Sequence, residues 1–413
     1  MAIHIDPDRV WQHLMRLSEF RDASSPGWTR RAFTPEYQAA RQWLKDLMTS
    51  AGLEVTWDPG ANLVGSHTGS VPTRFVVGSH SDTVIGAGRF DGMLGVIAAI
   101  ECAHVLHENG WPFRHGLHVY DFLAEEPSPY GVSTVGSRAV SGHLPPNLLS
   151  LRNSRGETLA EGIRGAGGDP AVLSKPLLAG DDIAAYLELH IEQGPSLESH
   201  KLPLGIVTGI VGIRRYRVMI EGSPGHAGTT PMGARHDALV AASTIVTQVH
   251  QWAAKQVGNI AATVGQIEIQ PNALNVIPGT STLGIEVRAL DADHLDRFTS
   301  FLGDIVSSLK THHDYETSIF ETTRENPALM DTAIRRTMGE VFRHQGWEHI
   351  ELPSWAGHDA VQMTHVSSRC GMIFVPSRGG LSHCPEEWTE PRDVALGAQA
   401  LLQSILRLDR DIN

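Results

Sequence analysis

Cysteine is scarce in this 413-residue chain: Cys102, Cys370 and Cys384 make an odd set without C-x-x-C spacing. That excludes a disulfide framework and points to a reducing compartment. No apolar run approaches the roughly 20 residues that cross a bilayer, which excludes a helical membrane span. The opening MAIHIDPDRVWQHLMRL lacks the basic-then-apolar order of a secretory leader, so the sequence reads as cytoplasmic. Positive charge is in deficit as well, with 33 Lys and Arg against 46 Asp and Glu and a formal charge of −13. A nucleic-acid partner, which needs a basic stripe to neutralise phosphates, is therefore excluded. An anionic substrate has to find a local positive site. Internal repeats, low-complexity tracts and the G-x-S-x-G elbow of serine hydrolases are also missing.

What is present is ordinary globular material, 41% hydrophobic and 19% charged, in a chain long enough for two domains. Thr34-Pro35-Glu36 signals a helix start, with a capping hydroxyl and a proline suited to the first turn, and Gly52 follows its end. RFVVGSH (74–80), LHVYDFLAEE (117–126), AYLELHIEQG (185–194) and GMIFVPS (371–377) each read as a buried strand running into polar or acidic residues. GVIAAIECAHVLHENG (95–110) reads as the helix after the first of these. Such strands build an open α/β sheet, and ligands bind outside the carboxyl ends of its strands. Residues 151–181 look like an excursion rich in glycine and charge.

From about residue 211 the texture changes to the order βαββαβ, with helices after Asp237 and Asp291, which predicts a ferredoxin-like α+β module. The α/β pattern returns after about residue 327 and ends in an amphipathic helix over 394–408. The expected architecture is α/β, a discontinuous domain (1–210 and 327–413) with a central mixed sheet flanked by helices, interrupted by an inserted module over 211–326.

The histidines, 22 in all, often stand beside Asp, Glu and Gly, as metal sites require. His80 and Asp82 lie two apart at a predicted strand end, so one can ligate a cation while the other orients it, and Asp82 suits the orienting role. Asp91 lies in GRFDGMLG, where glycines let the backbone approach a site and a carboxylate can bridge two cations. Glu125 and Glu126 are adjacent carboxylates after an apolar run and repel unless cations or protons compensate. One can ligate while its neighbour moves the proton of a water. His190 and His383 complete the set, each at a strand exit or on a glycine-rich loop. Singly, each of these residues has a bland reading as a surface or strand-end group. Jointly, His80, Asp91, Glu126, His190 and His383 supply nitrogen and oxygen donors for two divalent ions.

The ordered motifs GSHSDTV, GRFDGMLGV, FLAEEPS, LHIEQGP, SPGHAGTTPM, NVIPG, EVRA, GHDA and SHCPEE resemble the amidase/hydantoinase/carbamoylase group of M20 metallopeptidase-like hydrolases, over about residues 60–390. That group contains N-carbamoyl-L-amino-acid hydrolases, β-ureidopropionases and allantoate amidohydrolases, homodimers with two metal ions per active site. The resemblance implies His80, Asp91, Glu126, His190 and His383 as ligands with Asp91 bridging, Glu125 as general acid/base, and Asp82 as the group orienting a ligand. It implies His226 as the group polarising the scissile carbonyl and Asn275 and Arg288 as anchors of a substrate carboxylate. Gln193 and His358 are implied as substrate contacts. The inserted module becomes a dimerisation and lid domain, and the exposed strand edges expected of it suit pairing between subunits.

The implied reaction is hydrolysis of a linear amide bond, above all the carbamoyl group of an N-carbamoyl-L-amino acid or a related anionic ureido compound. The cofactors are two divalent cations, Zn or Mn, with Co or Ni also suited to the donors. Allantoate amidohydrolase and an aminoacylase or dipeptidase are the alternatives, and a catalytically silent small-molecule-binding relative is the reading from another class. The chain departs from the group at PSPYGVSTVGSR, where Pro127, Pro129 and Tyr130 stand beside Glu125 and put the substrate in question. Cys384 beside His383 is a second departure, open to reading as a soft ligand or as a small buried residue.

Overall fold

The computed structural model describes residues 3–256, 258, 260–313 and 315–412. The chain divides into two compact units, Met1–Thr208 with Met330–Asn413, and Gly209–Leu329. The sequence reading puts its breaks at 210/211 and 326/327. No helix among the described residues is long and apolar enough to cross a membrane.

In the discontinuous unit, four parallel strands form the middle of a mixed sheet. Their spatial order is Gly116–Phe122, Arg74–His80, Ile183–Ile191 and Cys370–Val375. Antiparallel strands flank them, Leu63–His67 on one side and Leu204–Ile210 on the other. Every residue of Ile183–Ile191 and Cys370–Val375 is buried, as expected of strands covered on both faces. Met93–Glu108, hydrophobic around most of its circumference, lies in the main core with Pro7–Ser18 and Pro391–Asp411. That last helix extends the 394–408 expectation at both ends. Pro7–Ser18 is capped by Asp6, whose carboxylate accepts from Asp8 N and Arg9 N, a signal present in the sequence as Asp6-Pro7.

Residues 151–181 are more ordered than a glycine-rich excursion suggests. Leu159–Gly165 is a helix with a reciprocal Thr158/Glu161 capping box, and Leu159, Ile163 and Leu173 join a small core with Tyr130, Val132 and Val135.

The other unit has the βαββαβ order and is ferredoxin-like. Its antiparallel sheet runs Glu316–Glu325, Gly212–Glu221, Thr280–Ala289, Ala261–Gln270. Alternation along Gly212–Glu221 turns Tyr216, Val218 and Ile220 toward a core shared with Ala238–Ala254 and Ala292–His313, while Arg215, Arg217 and Met219 are exposed.

One buried ion pair anchors the edge of the parallel sheet. Arg41, on the helix Pro35–Ser50, gives Nε to Asp121 Oδ2 at 2.7 Å, Nη2 to Asp121 O at 3.0 Å and Nη1 to Ala61 O at 2.8 Å. Its guanidinium also lies 4.6 Å from the Trp57 ring centroid. Removing one partner strands the other charge in a dry interior. Arg41→Met is expected to cost about 3–5 kcal/mol, read as a lowered urea midpoint. A loss under about 1 kcal/mol would show that water reaches Asp121.

Candidate active site

The chemically active residues gather beyond the carboxyl ends of the four parallel strands. His80 is the last residue of Arg74–His80; Glu125 and Glu126 follow Gly116–Phe122; His190 lies near the end of Ile183–Ile191; His383 sits on the loop after Cys370–Val375. Asp91 precedes the helix Met93–Glu108, one residue before a Gly92 with φ 69°. A Cβ at Gly92 would lie 2.4 Å from the His80 ring, so glycine is needed both for the turn and for the approach.

Asp91 is the hinge of two donor groups. His190 Nε2 lies 3.2 Å and His80 Nε2 3.8 Å from Asp91 Oδ1, whereas His383 Nε2 lies 2.9 Å from Asp91 Oδ2 and 3.2 Å from Glu126 Oε1. Within each group, His80/Asp91/His190 and Asp91/Glu126/His383, the donor atoms fall within 4.8 Å of one another. The ring tautomers suit ligation. His80 Nδ1 faces the Asp82 carbonyl at 3.1 Å and His190 Nδ1 the Ile191 carbonyl at 2.8 Å, placing N–H there and a lone pair at each Nε2; the His190 lone pair also accepts from Gly92 N at 3.1 Å. These buried imidazoles and carboxylates fit divalent cations.

A third donor group, Glu188, His190 and His358, is also compact. Its atoms are already engaged: Glu188 accepts from Ser79 Oγ, Tyr186 OH and Ala360 N, and His358 Nε2 lies 2.7 Å from Ser354 Oγ.

The electrostatics follow from burial. Loss of water pushes the Glu125 carboxyl well above the usual carboxylate range; the nearby His80, 3.8 Å away, opposes this and Glu126 reinforces it. Burial raises Glu126 too, against its hydrogen bond with His383. Burial alone would raise Asp91, but with the neighbouring imidazoles protonated, His190 and His383, aided by His80, drive it well below the ordinary range.

Asp82 lies beyond the strand end and spans two segments. Its Oδ1 accepts from Glu125 N at 3.1 Å and its Oδ2 from Glu126 N at 3.2 Å, while Oδ1 stands 3.6 Å from His80 Nδ1. Gln193, with φ 57°, gives Nε2 to Asp91 Oδ2 at 2.9 Å and to Ser382 Oγ at 3.1 Å, and its Oε1 is buried without a partner among the described residues. His358 is 1% exposed and packs edge-on to His190, with ring centroids 4.4 Å apart.

Tyr130 points into the small core, giving its hydroxyl to Glu157 Oε2 at 3.0 Å and stacking edge-on against Phe33, while Pro127 and Pro129 are exposed. Cys384 belongs to none of the donor groups among the described residues.

In the ferredoxin-like unit, the short strands Gly225–His226 and Val276–Ile277 pair, and Ala227 N donates to Asn275 O at 3.0 Å. His226 and Asn275 are thus neighbours. The exposed His226 accepts at Nδ1 from Gly228 N and Thr229 N, which leaves Nε2–H as a donor. Arg288 is on the sheet, giving Nε to Glu286 Oε1 at 2.8 Å; Glu286 also pairs with Arg215.

Sequence reasoning passed over three buried acids. Glu188 alternates with His190 on one strand, a signal that was available. Asp359 accepts from Ser137 Oγ at 2.5 Å across 222 residues, which no local pattern reveals. Glu387, the second glutamate of SHCPEE, accepts from Phe90 N, Asp91 N and Ser382 Oγ, and burial with the nearby Asp91 pushes its carboxyl up to about 7.

This fold, with carboxylates and imidazoles converging at the strand ends, is shared with enzymes named amidohydrolases, and the chain is a hydrolase acting on carbon–nitrogen bonds of linear amides other than peptide bonds. The chain belongs to peptidase family M20/M25/M40, whose sequence model matches residues 63–407. It is 36% identical over 406 residues to an N-carbamoyl-L-amino acid amidohydrolase of Geobacillus stearothermophilus, covering 98% of this chain and 99% of that one. It is 34% identical over 402 residues to an allantoate amidohydrolase of Bacillus subtilis, covering 97% of each. A crystal structure of a hydantoinase/carbamoylase family amidase from Burkholderia multivorans superimposes with TM-score 0.90 at 31% identity, covering 98% of both chains.

Asp82→Ala is expected to cost the metal-free chain about 1–3 kcal/mol in urea unfolding, because two buried backbone N–H groups lose their acceptor. Asp82→Asn, which keeps one carbonyl oxygen, should lose less. Equal losses would mean that the two N–H bonds are not what Asp82 contributes.

Proposed function

We propose that this chain hydrolyses the carbamoyl group of an N-carbamoyl-L-amino acid or a related anionic ureido compound. Two divalent cations, zinc or manganese with cobalt or nickel also suited, are held by His80, Asp91, Glu126, His190 and His383. The observation that carries this reading is the division of Asp91: one oxygen faces His80 and His190, and the other faces His383. Full-length similarity to an enzyme named for N-carbamoyl-L-amino acids supports the substrate class.

Bound cations supply an acidified water and polarise the carbonyl under attack. Glu125 takes the proton of the attacking water and returns it to the leaving nitrogen, a task suited to a carboxylate whose proton affinity burial has raised. The water oxygen bonds to the ureido carbon, the C–N bond breaks and ammonia leaves. The remaining N-carboxy compound loses carbon dioxide to give the free amine. Asp82 holds the Glu125 and Glu126 backbone in place during this transfer.

His226, with Nε2–H free to donate, stabilises the developing oxyanion. Asn275 and Arg288 anchor the substrate carboxylate, the guanidinium providing local positive charge in an acidic protein. Gln193 and His358 complete the pocket, Gln193 through its unengaged Oε1. On this reading the enzyme is a cytoplasmic homodimer, and the ferredoxin-like unit serves dimerisation and closure. The allantoate reading is the second choice, favoured by the Bacillus subtilis relative.

Ammonia release is the test, using N-carbamoyl-L- and D-amino acids, N-carbamoyl-β-alanine and allantoate. One ureido compound should be turned over, chelation should abolish the activity and added zinc or manganese should restore it. Glu125→Gln should lower kcat by about 10²- to 10⁴-fold. Turnover of allantoate alone would move the assignment to the second reading; activity indifferent to chelation would overturn the cation chemistry.

A further inference from the structure

We infer that Glu387 is a positioning residue for the cation pair, joining the Asp91 segment and the His383 loop through one buried carboxylate; this rests on the two-cation reading above. Around it the loop is open to solvent, with His383, Pro385 and Glu386 exposed, yet Glu387 is only 1% exposed. Its Oε1 accepts from Phe90 N at 2.9 Å and Asp91 N at 3.2 Å. Its Oε2 accepts from Ser382 Oγ at 2.9 Å, and the same hydroxyl lies 3.3 Å from Asp91 Oδ2. One carboxylate therefore holds the main chain of the bridging residue and the side chain next to His383.

Packing points the same way. A Cβ at Gly88 would lie 2.3 Å from Glu387 Cβ and 2.4 Å from its Oε1, so the carboxylate occupies space that only glycine leaves open. Trp388 packs edge-on against Phe90, with centroids 5.5 Å apart, and against Trp11 at 5.6 Å. Both the apolar and the polar contacts of this stretch thus reach the segment that carries Asp91. His383 itself has no comparable burial: its side chain is 48% exposed. Its place relative to Asp91 and Glu126 depends on how the loop is tethered, and Glu387 supplies that tether. Groups that orient ligands in this way commonly change cation affinity by about 10- to 100-fold when removed.

The experiment measures zinc stoichiometry and affinity of the metal-stripped full chain by competition with a chromophoric chelator. Wild type should take up two zinc ions. Glu387→Ala, folded by circular dichroism, should bind the ion held by His383 and Glu126 about 10- to 100-fold more weakly, and the ion held by His80 and His190, which shares Asp91, should weaken by less. Glu387→Gln, whose carbonyl oxygen can still accept from the two N–H groups, should recover most of the loss. Ser382→Ala, a small change on a partly exposed loop, should weaken the same ion, and combining it with His383→Ala should add nothing further. If Glu387→Ala or Ser382→Ala binds both ions as wild type does, the positioning role is overturned. Should Glu387→Ala not fold, Ser382→Ala decides alone. A wild-type chain that takes up fewer than two ions overturns the cation reading itself, and this inference with it, before any variant is compared.

Discussion

Three carboxylates, Asp91, Glu125 and Glu126, are removed from water around the same imidazoles, and this concentration of buried negative charge dominates the site. Burial of like charges is tolerated only where positive charge, protons or hydrogen-bond donors compensate. Imidazoles face all three: His80, His190 and His383 stand by Asp91, His383 reaches Glu126, and His80 lies 3.8 Å from Glu125. The proton affinities diverge accordingly, Asp91 held low by its imidazole partners and Glu125 pushed high by its dry surroundings. A set of carboxyls separated in this way can divide the labour of ligation and proton transfer, because one stays ionised while another readily holds a proton.

The fold makes the compensation possible by geometry. Parallel strands end at one edge of the sheet, so residues distant in sequence arrive at one place without long loops. Rigid neighbours then hold the ligands: carbonyls of Asp82 and Ile191 orient two imidazoles, Asp82 caps two backbone N–H groups, and Gln193 holds Asp91. His383 differs, being an exposed histidine on a loop, so its anchoring falls to the buried residues that follow it.

Much of this was legible beforehand because it depends on short-range patterns. Apolar runs that end in acids or histidines marked the strands, and Thr34-Pro35 and Asp237 marked helix starts that the structure retains. The order βαββαβ marked the inserted module. Residues 151–181 were misjudged because glycine and charge obscured a short capped helix whose Leu159 and Ile163 are buried by distant partners. In the Pro127–Tyr130 stretch beside Glu125, Tyr130 turns into the small core, a placement set by distant partners rather than by local pattern.

By itself the sequence determined the residue types available for chemistry, their order, and the strands and helices that carry them, because hydrophobic periodicity and capping act over a few residues. Only the tertiary structure decided which of these groups meet: that Asp91 stands between His190 and His383, that Asp82 serves the Glu125 and Glu126 backbone, and that Glu387 turns inward to the Asp91 segment. The physical reason is that hydrogen bonds and burial depend on distance in space. Asp91 and Glu387 are joined across 296 residues of chain, a separation over which local pattern carries no information.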